Sequence, residues 1–345
     1  MAAVRQPHAI RVRGANPEEG PAIAGLWREL WDAHEAWGGY AGTRDARVYE
    51  QLANRLSEDA RVRGGQPVLG RHVHLVAAGA DDRVVGQVEG WFERHGVDEA
   101  TPFTCEVRSL IVSERARVRG AGRALLEGLA GVARQLSRGA PVVLAAEVLE
   151  PNPAHAFYTN VGYTPVSWTA RIGTEGAVEP LAESPYATRI ATPNDALPIA
   201  LLDPALAARR RAQGDIRFDR PRAVDATFVG ALAAHLARPG ASDQSEIVAV
   251  DHGGMVRASA SLTVMSLDPP FLPARRGLLG RFAVDPALDP RPLVAALMRL
   301  GRRLALVRGA STLELTDLDP PGHPLSEGAR LVGAAPWSRI VERFA

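Results

Sequence analysis

Glycine and arginine stand close together in one short stretch of the chain, RVRGAGRALLEGL, residues 117–129. The stretch follows an apolar run, VRSLIV, and leads into a helix-like pattern. Backbone N–H groups at the start of a helix bind anions, and glycine lets an anion come close to them. Arg117, Arg119 and Arg123 add charge that can pair with phosphate. The spacing therefore predicts a phosphate-binding helix start.

A flexible helix start without a ligand would also account for these glycines, and so would a Rossmann dinucleotide site. The Rossmann fingerprint is G-x-G-x-x-G after the first strand, with an acidic residue about 20 positions later. Glu147 stands loosely at that distance, but position 125 is leucine where the third glycine would be. The stretch also follows several predicted strands, which disfavours the Rossmann site.

Strands and helices alternate around the glycine stretch. Apolar residues recur at helical spacing after Asn16, over about 45–60 and over 121–137. Strand patterns occur at 9–13, twice within HVHLVAAGADDRVVGQVEGWFE, in FTCEVRSLIV, in PVVLAAEVL and at 163–172, with a short helix ending near Gly162. This order predicts a mixed α/β domain.

The same order of elements restarts in the second half of the chain. ATRIATPNDALPIALL resembles AIRVRGANPEEGPAIAGL in pattern and spacing, and strand and helix patterns follow it in the same sequence. The segment between the halves is rich in Gly, Pro, Ala and Glu, which is typical of a linker. We therefore expect two α/β domains, 1–173 and 188–345, joined by a linker at 174–187.

Composition limits the classes of function. The chain has 345 residues, 46% of them hydrophobic, and a formal net charge of +1, which disfavours a dedicated nucleic-acid binder. Its one cysteine, Cys105, excludes an internal disulfide and a cysteine-based zinc site, and it fits a reducing cytoplasm. We find no signal-peptide pattern and no apolar run long enough to span a membrane. We expect no metal, no membrane and no nucleic-acid partner.

Residues 105–163 resemble the core of the GNAT superfamily of N-acetyltransferases. The family's acetyl-CoA motif, Gln/Arg-x-x-Gly-x-Gly/Ala, is matched by 117–122 between a strand and a helix. Its later signature, a Phe-Tyr pair followed by Gly-Phe/Tyr, is matched by 157–158 and 162–163. The resemblance implies two tandem GNAT-like domains with a mixed α/β sheet, and acetyl-CoA as the co-substrate.

The resemblance also implies roles for single residues. Tyr158 would donate a proton to the departing CoA thiolate, and Glu106 would act as the base, although an exposed glutamate paired with Arg108 is an equal alternative. A direct transfer in a ternary complex is expected. The residues that would bind the cofactor are Leu110, Ile111, Val112, Arg117, Val118, Arg119, Gly120, Ala121, Gly122, Arg123, Ala124, Asn152 and Tyr158.

Other groups are weaker candidates for the base. Glu147 on the next strand is the reserve, and His34, His72 and His74 follow because imidazole titrates near neutral pH. Cys105 neighbours Glu106, but no base partner for a covalent acyl intermediate is evident.

The acceptor would meet the first two helices, by resemblance to the family. Trp31, Glu35 and Tyr40 are the predicted acceptor-binding residues, although helical spacing favours a core position for Trp31. A primary amine of a small molecule or peptide is expected, and its identity stays open.

The second half lacks these features. Pro290 and Pro292 replace the glycines, and proline has no N–H to offer a phosphate. We expect a degenerate second domain and a single working site. The alternative is a non-catalytic acyl-CoA-binding or sensing module, and a homodimer is possible for either.

Overall fold

The computed structural model describes residues 10–94, 102–114, 120–175, 184–215, 218, 223–238 and 243–345. The chain divides into two compact units. The first comprises Met1–Thr164, Pro269–Leu272 and Val341–Ala345, and the second comprises Pro165–Asp268 and Pro273–Ile340.

The first unit is built on a five-stranded sheet in the order β1-β3-β4-β5-β6. Neighbouring strands are antiparallel except β5 and β6, which are parallel, and the short β2 pairs with β3. Its elements are β1 Arg11–Arg13, α1 Gly20–Ala36, α2 Ala46–Arg63, β2 Val68–Leu69, β3 His72–Ala78, β4 Val84–Arg94, β5 Phe103–Val112, α3 Ala121–Ser137, β6 Val142–Leu149 and α4 His155–Asn160.

Helix α3 packs on one face of this sheet. Leu125, Leu126 and Leu129 recur at helical spacing and are fully buried against strand residues such as Leu75 and Leu144. Burial of such side chains contributes roughly 1.5–3 kcal/mol each. Helices α1 and α2 cover the opposite face through a second core cluster. The sheet is therefore covered on both faces.

The second unit repeats this topology. Its strands follow the order β7-β12-β11-β10-β9-β8, and only β11 and β12 are parallel. The elements are β7 Thr164–Gly173, β8 Ala187–Ile190, α5 Ala196–Ala212, α6 Ala226–Leu236, β9 Gln244–Val250, β10 Val256–Ser266, β11 Arg275–Val284, α7 Pro290–Val307, β12 Thr312–Leu318, α8 Pro324–Arg330 and β13 Ala335–Phe344.

The same bidentate arginine–carboxylate pair occurs at the start of the first helical region in both units. In the first unit, Arg13 forms a bidentate pair with Glu19, whose carboxylate also accepts a hydrogen bond from the Asn16 backbone. In the second unit, Arg189 and Asp195 form the same pair beside a threonine in the asparagine position. The predicted mixed α/β fold with an internal duplication is confirmed.

The boundary between the units differs from the predicted domain limits. Residues 165–173 belong to the second unit because β7 pairs with β12 from Gly173↔Thr312 to Ala170↔Leu315. Residues 341–345 belong to the first unit, where the Ala345 backbone N–H donates to the Val142 carbonyl over 2.9 Å.

Candidate active site

Strands β5 and β6 pair over only part of their length. Their parallel register runs from Phe103↔Val142 to Val107↔Ala146, while β5 continues to Val112 and β6 to Leu149. The carboxyl ends of the two strands therefore lie beyond the last paired residues. On the β6 side, the residues of β5 after Val107 are no longer paired, whereas β4 still pairs with Ile111 and Val112.

A β-bulge shapes the end of β5. Gln87 pairs with Ile111 and Glu89 with Arg108, so that Ser109 and Leu110 both lie opposite Val88. Ser109 has a φ of +53°, in the left-handed region that serine rarely adopts. Such a bulge turns backbone groups out of the ladder, and bulges are frequent beside active sites.

A cleft of about 760 Å³ lies at this end of the sheet, within the first unit. The strand ends contribute Val107, Ser109, Leu110, Ile111, Val112 and Glu147. The start of α3 contributes Gly120, Gly122 and Arg123, and the α4 region contributes Asn152, Pro153, Ala154, Phe157, Tyr158, Asn160 and Val161. Helix α1 contributes Glu29, Leu30, Ala33 and His34, with Trp37 following it.

Most of the predicted cofactor residues meet in this cleft. Leu110, Ile111, Val112, Gly120, Gly122, Arg123, Asn152 and Tyr158 all line it. Ala121 and Ala124 are not part of the described lining, and the Ala121 side chain is fully buried in the core under α3. The predictions for Arg117, Val118 and Arg119 lie outside the described residues.

The start of α3 needs its glycines for two different reasons. Gly120 has a φ of +79°, which glycine adopts without strain. A Cβ at Gly122 would lie 3.2 Å from Cζ of Phe157, a tight contact that would require the Phe157 ring to shift by a few tenths of an ångström. The helix thereby begins at the cleft, with its first N–H groups and dipole available to an anion.

Two polar side chains border this helix start. Arg123 is exposed, and its Nη2 donates to the Asn160 carbonyl over 3.3 Å. The Oδ1 of Asn152 accepts from the Ala154 backbone N–H over 2.9 Å, so its NH₂ group is the end that can donate to a ligand.

Tyr158 belongs to a buried aromatic group beside the cleft. Its ring centroid lies 5.4 Å from that of Phe157 and 5.1 Å from that of Tyr163, both in edge-to-face geometry. Burial raises the pKa of Tyr158 above its ordinary value, because an apolar environment disfavours the phenolate. The hydroxyl is therefore protonated at neutral pH and can act as an acid.

The candidate bases lie in different places. Glu106 does not belong to the described lining, and its carboxylate pairs with Arg108 over 2.6 Å, with each side chain about half exposed. Glu147 and His34 both line the cleft. Burial lowers the pKa of His34, which favours the neutral imidazole that a base requires.

The remaining sequence candidates lie away from the cleft lining that the structure describes. His72 is hydrogen-bonded through Nδ1 to Arg63 over 2.7 Å, and His74 is buried. Cys105 is buried in the core under α3, where burial raises its pKa to about 12. A thiol with such a pKa is a poor nucleophile at neutral pH.

The three predicted acceptor residues do not belong to the described lining either. Trp31 is 3% exposed and packs between Trp27 and Tyr49, at centroid distances of 4.9 and 5.7 Å. Glu35 pairs with Arg44 over 3.3 Å. The Tyr40 ring lies 6.2 Å from that of Phe271.

Another stripe of α1 faces the cleft instead. Glu29, Leu30, Ala33, His34 and Trp37 recur at helical spacing and all line it. The sequence contained a signal for this stripe. If Trp31 faces the core, helical spacing places Glu29, Leu30, Ala33 and His34 on another side of α1.

Residues 27–163 match the sequence model of the acetyltransferase (GNAT) family, a segment that holds the second half of α1, the bulge, the start of α3 and Tyr158. Residues 27–163 are thus similar to the GNAT family, and we call this segment the GNAT domain. No curated protein sequence matches the chain.

Solved structures resemble the whole chain. A GCN5-related N-acetyltransferase from Sphaerobacter thermophilus is 17% identical, with a TM-score of 0.57, over 97% of this chain and 95% of that one. The glucosamine N-acetyltransferase region of a fungal multi-domain GH3 beta-N-acetylglucosaminidase is 15% identical, with a TM-score of 0.54, over 98% of this chain and 38% of that one. A tandem GNAT protein from the clavulanic acid biosynthesis pathway is 17% identical, with a TM-score of 0.49, over 98% of both chains.

The family and the fold support acyl transfer by the GNAT domain. Across the described residues, no group of three His, Cys, Asp or Glu side chains is arranged to hold a metal ion. None of the helices in the described ranges is long and apolar enough to cross a membrane.

Proposed function

We propose that the GNAT domain transfers an acetyl group from acetyl-CoA to a primary amine of a small molecule or peptide, directly and within a ternary complex. One observation carries the proposal. A single cleft is lined by the start of α3, the bulge of β5, Tyr158 and the stripe of α1 that contains Glu29 and His34, so that donor and acceptor groups can meet there.

The start of α3 would hold the CoA diphosphate. The first N–H groups of a helix have no partner within it, and the dipole of a 17-residue helix adds about half a positive charge there. Arg123 adds a guanidinium at the same place. Hydrogen bonds to a charged group contribute about 1.5–3 kcal/mol each.

The bulge and Tyr158 would stabilise the two changes of charge in the reaction. Of the predicted residues 110–112, Leu110 lies in the unpaired bulge, and its backbone N–H would donate to the thioester oxygen as it becomes negative. The Tyr158 hydroxyl would then give its proton to the departing thiolate.

The acceptor must lose a proton before it attacks, because an alkylammonium has a pKa near 10. Glu147 and His34 line the cleft and are the groups we propose for this proton, either directly or through water. The sequence candidate Glu106 would need a longer relay, because Arg108 already binds its carboxylate. Glu29 and Glu147 would attract a cationic amine.

Direct transfer is favoured over a covalent acyl-enzyme. The buried Cys105 packs under α3, on the side of the sheet opposite α1, and its raised pKa keeps it a thiol. No acyl carrier is needed if the amine attacks the thioester in place.

Calorimetry with CoA and acetyl-CoA, followed by CoA release with a panel of amines, tests the proposal. We expect one CoA per chain, acceptor-dependent turnover, and loss of turnover in Tyr158→Phe. An absence of CoA binding would refute the proposal. Tight CoA binding with an acceptor-independent rate that Tyr158→Phe leaves unchanged would instead identify a binding or sensing module.

A further inference from the structure

A buried amide side chain lies directly behind the bulge of β5. Gln87 on β4 is fully buried, and its Nε2 lies 3.5 Å from the Ser109 carbonyl oxygen, to which it donates. Its Oε1 lies 2.7 Å from Nε2 of His74, which is 3% exposed. The three residues form a chain from the core to the cleft.

The direction of each hydrogen bond in this chain is fixed by the Ser109 carbonyl. A carbonyl only accepts, so the Gln87 amide must present its NH₂ group to Ser109 and its oxygen to His74. His74 must then carry its proton on Nε2. Burial lowers the pKa of His74 and favours the neutral ring that this arrangement uses.

Ser109 needs such support because its backbone is strained. A φ of +53° costs a residue with a Cβ stability that neighbouring contacts must restore. Leu110, which follows Ser109 in the bulge, lines the cleft, and its N–H is the proposed donor to the thioester oxygen. A small rotation of this peptide would turn that N–H away from a thioester oxygen.

The second unit contains the same bulge in a different environment. Arg281 has a φ of +54°, and Arg281 and Phe282 lie opposite Ala260, as Ser109 and Leu110 lie opposite Val88. The register places Ser259 opposite Ala283, where the first unit has Gln87 opposite Ile111.

Unlike the bulge of the first unit, the bulge of the second unit is covered by side chains. The Arg281 backbone N–H donates to a carboxylate oxygen of Asp317 on β12 over 3.4 Å. A Cβ at Gly280 would lie 2.2 Å from Oγ1 of Thr316. Side chains of the unit itself thus occupy the space beside this bulge.

We propose that Gln87, held by His74, is a positioning residue that fixes the Ser109 bulge so that its N–H groups face the thioester oxygen. This inference rests on the proposed acetyl transfer. The contrast within the chain supports it: a bulge backed by an amide donor faces the cleft, whereas the bulge with serine in the equivalent place is covered by a carboxylate.

Two substitutions of Gln87 test the role. Gln87→Met keeps the volume and removes both hydrogen bonds, and Gln87→Glu keeps the acceptor for His74 but removes the donor to Ser109. Ser259→Ala, at the equivalent position of the second unit, is the matched control. The measurements are kcat, KM for acetyl-CoA and amine, CoA affinity and Tm.

We expect kcat to fall between about tenfold and about a hundredfold in both Gln87 variants, because losing one oxyanion donor costs about 10²–10³ and a misdirected donor costs less. CoA affinity should change less than about twofold, and Ser259→Ala should match the wild type. If Gln87→Met does not fold, the kcat of Gln87→Glu tests the inference by itself. Unchanged kcat in a folded variant would overturn the inference, and so would a parallel loss of kcat, CoA affinity and Tm.

A second measurement separates this inference from the proposed function. Acetonyl-CoA, an unreactive ketone analogue, reports the carbonyl contact without an acceptor. We expect the wild type to bind it more tightly than CoA and the Gln87 variants to lose that preference, even if no amine is turned over. Equal preference in all proteins would overturn the positioning role alone, and a wild type that binds neither compound would overturn both.

Discussion

Tyr158→Phe, paired with Tyr163→Phe, tests whether the cleft tyrosine acts through its hydroxyl. The two rings are buried, 5.1 Å apart, and belong to the same core cluster. Tyr158 lines the cleft, whereas Tyr163 is not part of the described lining. Each substitution removes one oxygen and keeps the ring, so the pair isolates proton donation from packing.

We expect Tyr158→Phe to lower kcat and Tyr163→Phe to raise stability. General acid catalysis contributes about 10²–10⁴-fold, so kcat of Tyr158→Phe should fall by that order while CoA affinity changes little. Within the described residues, the buried Tyr163 hydroxyl has no hydrogen-bond partner of normal geometry, although the Arg343 guanidinium lies 5.1 Å from the centre of its ring. Leaving a buried hydroxyl unpaired costs about 1–3 kcal/mol, so Tyr163→Phe should gain about 1 kcal/mol and raise Tm by about 2–4 °C.

The pH profile gives an independent check. Burial raises the pKa of Tyr158 above its usual value of about 10, so the acid form is lost only at higher pH. The kcat of the wild type should therefore show no alkaline decline from this group below about pH 10. If Tyr163→Phe lowers kcat as much as Tyr158→Phe, the aromatic packing rather than the proton is responsible, and the assignment is refuted.

Three further predictions concern other features. Asp195→Asn should lower the free energy of unfolding by about 2 kcal/mol at pH 7, because Arg189 holds the pKa of Asp195 at about 2, against an ordinary value of 3.8. The wild type has this stability above pH 3.8 and loses it as the pH falls towards 2. Urea unfolding of both proteins at pH 7 and at about pH 2 measures the difference. Gly120→Ala should destabilise the folded protein by about 1–2 kcal/mol and weaken CoA binding, because residue 120 has a positive φ. Gly131→Ala in the same helix should stabilise the protein by up to about 1 kcal/mol, because its Cβ would lie in open space. Thermal unfolding measures the two stabilities, and calorimetry measures CoA binding. Iodoacetamide should leave native Cys105 unmodified at pH 8, because its pKa is raised to about 12, and mass spectrometry after unfolding in urea should show it alkylated.

The fold was predictable from local patterns because each element carries its own period. Apolar spacing located α3, and the repeated order of elements indicated the duplication. The unit boundary was harder, because β7 and the end of β13 each pair outside the half that sequence order suggests. A strand pattern specifies which face is buried but not which strand lies beside it.

The site was predictable where the chemistry depends on a motif and unpredictable where it depends on register. Gly120, Gly122 and Tyr158 reach one cleft, as the motif indicated. Glu106 occupies the expected strand, yet the separation of β5 and β6 leaves Glu147 in the cleft lining. The stripe of α1 that contains His34 could be chosen only after Trp31 was placed in the core.

The bulge shows most clearly why sequence alone was insufficient. VRSLIV contains no glycine, so nothing in it signals a left-handed residue at Ser109, and RRGLLGRFAV conceals the same feature at Arg281. Both copies nevertheless form the bulge, which indicates that the sheet imposes it through pairing rather than through local preference. What differs is the surrounding side chains, with an amide donor behind Ser109 and a carboxylate on the N–H of Arg281. The duplicated backbone therefore forms the same bulge twice, and we infer that the surrounding side chains determine which copy can present its N–H groups to a substrate.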